Sequence, residues 1–398
     1  MTPTLRLRYN GAFSDQRYAA FLDHLASAFR WGPDFRVAES PLFLDAATAS
    51  DLREAAQSVV AQLATPAFRE HAKSAVPPGL EVPHETPFPH FLCLDFALAS
   101  ASSGRVRPRL IELQGFPTVA CFQILLARSY VEHFPAIPAD YTPYFGGLDE
   151  SAYISALRDS IIGSSDPDHT ALLEIHPAEQ KTRIDFAVTE ALLGLSTVCV
   201  TDVRRRGRRL YREADGREIP IRRIYNRVIF DELLRRKPPM QFSFFDDLDV
   251  AWCSHPNWYF RISKHTLPFL KGDYVPSCEF VSSLREIPSD LEDYVLKPLY
   301  SFAGLGVDIA PSREKIAALT APQDWLLQRK VDYAPVLATP DGPAKAEIRL
   351  ILAGDGMGWP RLIGNLVRLT KGAMHGVDYN KGRTWVGASV GLFPRDAT

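Results

Sequence analysis

Between Phe13 and Arg69 apolar residues recur at spacings of three and four, in DQRYAAFLDHLASAF and DAATASDLREAAQSVVAQL, which predicts helices. A Pro-rich stretch, VPPGLEVPHETPFP, ends that pattern. Two β-type runs follow, FLCLDFAL and RLIELQ, joined by the turn-forming ASASSGRVRP; they predict an antiparallel hairpin, with a helix after it over VACFQILLARSYVEHF. Residues 136–168 are rich in Pro, Gly, Ser and Asp and read as loops at a domain boundary. Beyond them, TALLEI and STVCVTDV are buried-type strands flanking the amphipathic PAEQKTRIDFAVTEALLG, a β-α-β unit and so the start of a parallel sheet. From about Asn257 the chain turns to helical ISKHTLPFLKG, strand-like DYVLKPL, a glycine-bearing turn, WLLQRKV, and the long β-type runs AEIRLILAGD and RLIGNLVRLT. Short strands around a turn suggest an α+β module.

A chain of 398 residues is too long for one ordinary core, so two or three domains are expected, and the pattern places three units over 1–165, 166–255 and 256–398. Apolar residues at 46% and charged residues at 23% exclude a disordered chain. The formal charge of −2 gives no general reason to bind nucleic acid or an anionic membrane, and the one basic run, VRRRGRR at 203–209, reads as a solvated hairpin flank. Five cysteines with no CxxC pair argue against structural zinc and a disulfide framework. The N-terminus lacks a signal-peptide pattern and no run reaches roughly 18 apolar residues, so the expectation is a cytoplasmic protein with reduced thiols.

GASVG at 387–391 matches a nucleophile elbow, but only LFPRDAT follows, with a Pro and no His, so Ser389 reads as a strand or tail residue. P-loop and G-x-G-x-x-G fingerprints are absent. The chemistry-bearing residues lie elsewhere. Alternation along RLIELQ puts Glu112 and Gln114 on one strand face, and Asp95 is the single charge in FLCLDFAL. A carboxylate in such a strand is costly to bury unless paired or metal-bound. Three hard oxygen donors suit Mg²⁺; carboxylates paired with arginines are the competing reading. Lys297 ends a strand before a turn holding Gly304 and Gly306, Lys264 lies in WYFRISKHTL, and Arg349 and Arg368 sit on the late strands. These are cations suited to phosphate and carboxylate.

Together VLKPLYSFAGLGV, WLLQRKV, EIRLIL and IELQGFPT resemble the ATP-grasp superfamily, with its strand-borne Lys, glycine turn, linker strand, D-x-R strand and E-x-N metal pair. The pair comes first here, the order of circularly permuted members, and the segments resemble the synthetase domain of glutathionylspermidine synthase and, more distantly, eukaryotic-type glutathione synthetase. The resemblance implies a permuted ATP-grasp fold with a Rossmann-like parallel-sheet substrate domain and a mobile lid. It also implies Asp95, Glu112 and Gln114 for Mg²⁺, with Lys264, Lys297 and the Ser301–Gly306 turn for ATP phosphates. Gln328 to Lys330 would flank adenine, and Arg368, with Arg349, would hold the reacting carboxylate. Asn226 and Arg227, beside Tyr225, are candidates for substrate binding. Three positions depart from the pattern: Gln114 replaces Asn, Phe302 stands where the turn has Glu, and Cys93 stands where the strand has Arg.

The function implied is an ATP-dependent carboxylate–amine ligase working through an acyl phosphate on an amino-acid, peptide or polyamine-like substrate. A small-molecule kinase and a non-catalytic nucleotide-binding protein are the alternatives. The partners are small-molecule carboxylates and amines, without nucleic acid or membrane, and a homo-oligomer is left open.

Overall fold

The hairpin forms over Phe91–Ser100 and Val106–Gln114 in the computed structural model, which describes residues 2–100, 104–299, 306–372 and 380–397. Its first strand pairs antiparallel with Lys345–Ala353, which pairs with Arg361–Thr370, and Gly387–Ser389 closes a five-stranded sheet. One face is apolar. Leu92, Leu94, Phe96, Leu98, Leu350 and Val367 pack with Leu52, Ala56 and Val59 of the Ala46–Leu63 helix, which Asp45 caps at the Thr48 N–H. Each such fully buried Leu, Val or Phe contributes roughly 1.5–3 kcal/mol. The opposite face is divided. Phe91, Ile351, Ala353 and Ile363 join the core beneath the Phe122–His133 and Glu150–Ile161 helices; the other half of that face carries charge.

The β-α-β reading becomes Thr170–Glu174, Arg183–Leu193 and Ser196–Cys199, with Gly194 (φ +76°) ending the helix in the left-handed region that glycine adopts without a Cβ penalty. These strands belong to a four-stranded parallel sheet ordered Ala251–Cys253, Arg223–Asn226, Thr170–Glu174, Ser196–Cys199. A third sheet, Cys278–Phe280, Trp325–Arg329 and Tyr294–Pro298, is antiparallel.

Two elements differ from the sequence reading. Residues 136–168 are not loop throughout: Glu150–Ile161 is helical, capped by the Asp149 side chain and buried through Tyr153, Leu157 and Ile161. The apolar cluster it joins also holds Leu172, Ile184 and Tyr225 of the parallel-sheet region. ISKHTLPFLKG is a 3-10 run at Lys264–Phe269, because Pro268 lacks an N–H, and the α-helix lies before it at Pro256–Arg261. The basic run is a solvent-facing hairpin whose Arg204, Arg205, Arg206 and Arg208 pair with Glu213, Asp246, Glu218 and Asp247, which uses the charge that a phosphate patch would need. Ser389 is buried and donates to the Ser40 carbonyl (2.7 Å), no posture for a nucleophile. The five cysteines are buried free thiols. Among the described residues, no helix is long and apolar enough to cross a membrane.

Candidate functional site

The charged half-face is assembled by strand register. Asp95 stands opposite Glu112 on one side and Arg349 on the other, and Glu347 stands opposite Arg368. At Asp95 the hairpin register shifts, so that Ile111 has no partner across the ladder. That bulge keeps Glu112 on the Asp95 face and frees the Ile111 carbonyl, which accepts from Lys297 Nζ at 3.0 Å.

Asp95 is buried, and arginines fill both of its oxygens. Arg349 binds it in a fork, Nε to Oδ1 and Nη2 to Oδ2, each 2.6 Å, and Arg368 Nη2 reaches Oδ2 at 2.8 Å. Arg368 also donates to Glu347, whose other oxygen accepts from the Tyr333 hydroxyl at 2.9 Å. Arg349 adds a contact to Thr118 Oγ1 at 3.3 Å. Lys264, buried at the start of its 3-10 run, lies 3.6 Å from Glu112 Oε1. Burial pushes the Lys297 ammonium below its usual pKa, and the Glu112 carboxylate acts the other way.

Six of the predicted residues therefore meet on one face: Asp95, Glu112, Lys264, Lys297, Arg349 and Arg368. Gln114 shares the face by register opposite Cys93, but its Nε2 donates to the Phe116 carbonyl (3.3 Å) in the turn that follows. Gln328 is buried on the strand beside Val295, facing the Lys297 side, and its Nε2 has no hydrogen-bond partner. Lys330 does not join the cluster. It donates to the Glu292 carbonyl and lines a cleft of about 370 Å³ with Ser100, Arg107, Arg109 and Asp273. Gly306 (φ +75°) sits where the chain returns to the Lys297 strand, and a Cβ there would be 3.1 Å from Pro298 Cγ. Ser301, Phe302 and Gly304 lie outside the described residues.

Asn226 and Arg227 lie apart, at the carboxyl edge of the parallel sheet. Asn226 Oδ1 accepts from Val228 N (3.1 Å), and Arg227 Nη1 is committed to buried Asp185 (2.6 Å), whose other oxygen holds the Phe122 N–H. Arg227 Nε and Asn226 Nδ2 have no partner. Glu174 ends the neighbouring strand there; burial pushes its carboxyl up to about 8, against the Ile175 N–H at 2.7 Å and Arg227.

Sequence reading missed Glu347, Tyr333, Glu174 and Asp185. Only Glu347 left a sequence trace: it precedes Arg349 by two positions on one strand, and so shares its face.

The oxygens assigned to Mg²⁺ do not fit it as a set. A cation at Asp95 would have to displace charge-assisted bonds worth about 1.5–3 kcal/mol each, and it would strand a mostly buried guanidinium. Glu112 already faces two ammoniums, so neither carboxylate of the set is bare. Among the described residues no three His, Cys, Asp or Glu side chains converge to hold a metal ion.

The turn that closes the Glu112 strand is set by Gly115, whose N–H binds the Ile262 carbonyl at 2.7 Å; a Cβ there would lie 2.5 Å from the Trp258 carbonyl oxygen. Gly115→Ala is expected to cost about 1–3 kcal/mol by overpacking, read as a lower denaturant midpoint at unchanged slope. An unchanged midpoint would show that the turn can yield.

No protein-family model matches the chain, and no curated protein matches it. Among solved structures it is similar to a glutathione synthetase-like effector (GSS30) from Globodera pallida, solved in apo form, with a TM-score of 0.58 and 10% identity over 96% of this chain and 98% of that one. The chain has a glutathione synthetase-like fold. At that identity the likeness concerns the fold alone, and the chemistry of the charged face must be argued from its own residues.

Proposed function

We propose that the chain is an ATP-dependent carboxylate–amine ligase of permuted ATP-grasp type, in which triphosphate and carboxylate meet on the charged half-face. The observation that carries this reading is the convergence of Lys264, Lys297, Arg349 and Arg368, from four separate segments, on a face where, among the described residues, they meet the three carboxylates Asp95, Glu112 and Glu347. Such a surplus of fixed donors favours an incoming polyanion and needs no reorganisation when charge moves.

In this reading Lys264 and Lys297 take the phosphate oxygens. Gln328 offers its unpartnered Nε2 to the adenine edge. Arg368, 38% exposed where Arg349 is 15%, is the guanidinium that a substrate carboxylate would reach. A carboxylate oxygen attacks the γ-phosphorus and ADP leaves. The amine then attacks the acyl carbon, inorganic phosphate leaves, and the amine's surplus proton passes to solvent. Such phosphoryl transfer asks for positioning and charge neutralisation more than for a protein nucleophile. The second substrate would rest at the carboxyl edge of the parallel sheet, where the strand order reverses between Thr170–Glu174 and Arg223–Asn226, a usual place for ligands in such sheets. Asn226 and Glu174 border it.

The test is ADP release screened over amino acids, short peptides and polyamines, with mass spectrometry of the products. The expected result is ADP in step with a condensed amide. A stable phosphorylated product without amine would make the protein a kinase instead. Nucleotide binding without turnover is the second reading, favoured by the engagement of Asp95 with both guanidiniums; ATP bound and returned unchanged across the screen would establish it.

A further inference from the structure

We infer that this face holds its phosphate-bearing ligand directly through protein cations, and that Asp95 acts as a positioning residue for Arg349 and Arg368 instead of as a divalent-metal ligand. The inference rests on the anion-binding part of the reading above, and departs from the metal site that the sequence resemblance implies.

Three observations converge on it. Both Asp95 oxygens are taken, by two donors of Arg349 and one of Arg368. The geometry is a fork on one side and a single donor on the other, which fixes two planar guanidiniums with respect to each other. Arg368 is in turn held by Glu347, so its orientation has two anchors. Next, the carboxylate that remains, Glu112, has Lys264 at 3.6 Å and Lys297 beside it on the Ile111 carbonyl. Ammonium groups thus stand where a metal would need bare carboxylate. Finally, Gln114, the third oxygen of the implied set, is oriented by its own amide donating to Phe116. Asp95, Glu112 and Gln114 are on one face, as a metal site requires, yet both carboxylates of the set are committed to protein cations. Among the described residues a polyanion finds four cations there, whereas a divalent cation finds no carboxylate that is not already shared.

The probe is ATP, titrated calorimetrically into the full chain with excess Mg²⁺ and, separately, with excess EDTA, on the parent and on Asp95→Asn. The expected result is that affinity in EDTA stays within about threefold of that in Mg²⁺, and that Asp95→Asn changes affinity by the same factor in both, so that Asp95 and the metal are uncoupled. A gain of more than about tenfold from Mg²⁺ that disappears in Asp95→Asn would make Asp95 a metal ligand and overturn the inference. If the variant does not fold, the parent's comparison decides alone: tenfold or more from Mg²⁺ overturns the inference, near equality supports it. Inorganic tripolyphosphate is the second probe; if neither it nor ATP binds, the inference falls. Cation-independent binding with no ADP formed would defeat the ligase reading and leave this one standing, whereas amide formation with binding that depends on Mg²⁺ through Asp95 would do the reverse.

Discussion

Asp95→Ala is expected to lower the free energy of unfolding by about 3–5 kcal/mol, the cost of removing one partner of a buried ion pair. The magnitude follows from what is left behind. Arg349 is only 15% exposed and gives two of its donors to Asp95, so the variant strands a guanidinium with Thr118 as its remaining hydrogen-bond contact. Arg368 suffers less, because it is 38% exposed and keeps Glu347. The paired variant Asp95→Leu/Arg349→Leu should recover most of the loss, since well-packed apolar residues often replace a buried pair at little cost. Chemical denaturation of the three proteins at matched slope checks this. A loss below about 0.5 kcal/mol for Asp95→Ala, the range of ordinary surface substitutions, would mean that Asp95 does not hold the guanidiniums and is free for another ligand.

The same residue shows how much of the site is legible in the sequence. That Glu112 and Gln114 share a face, and that Asp95 faces them across the hairpin, follows from strand alternation over neighbouring residues and is readable locally. What takes up Asp95's charge is not, because its partners lie 254 and 273 positions away in sequence. The bulge at Ile111 is equally invisible: no Gly or Asn marks it, yet it places Glu112 and supplies the carbonyl for Lys297. The helix at Glu150–Ile161 was hidden by its surroundings. Pro143, Gly146 and Gly147 punctuate the approach, and the helix then buries Tyr153, Leu157 and Ile161 only against distant elements. The β-α-β unit, by contrast, was legible throughout, because buried-type strands and a glycine-ended amphipathic helix carry their own signals.

Glu174→Gln is expected to stabilise the protein in alkaline solution and to leave it unchanged in acid. Glu174 is 4% exposed, and burial raises its carboxyl from 4.5 to about 8. The folded chain therefore binds this proton more tightly than the unfolded chain does. Its contribution to stability is full below about 4.5 and declines as pH rises towards 8, beyond which it is lost. At about 1.4 kcal/mol per unit, the ionised residue penalises the fold by up to roughly 5 kcal/mol above that window. Glutamine carries no charge, and its side-chain oxygen can still accept from the Ile175 N–H that Glu174 now binds at 2.7 Å. The variant-minus-parent difference should thus grow from near zero at acid pH to about 2–5 kcal/mol at about pH 9, a comparison in which every other titrating group cancels. Denaturant titrations across that range check it. A flat difference would mean that Arg227 keeps Glu174 ionised in the fold, and the carboxyl edge of the parallel sheet would then present a fixed negative charge to whatever binds beside Asn226.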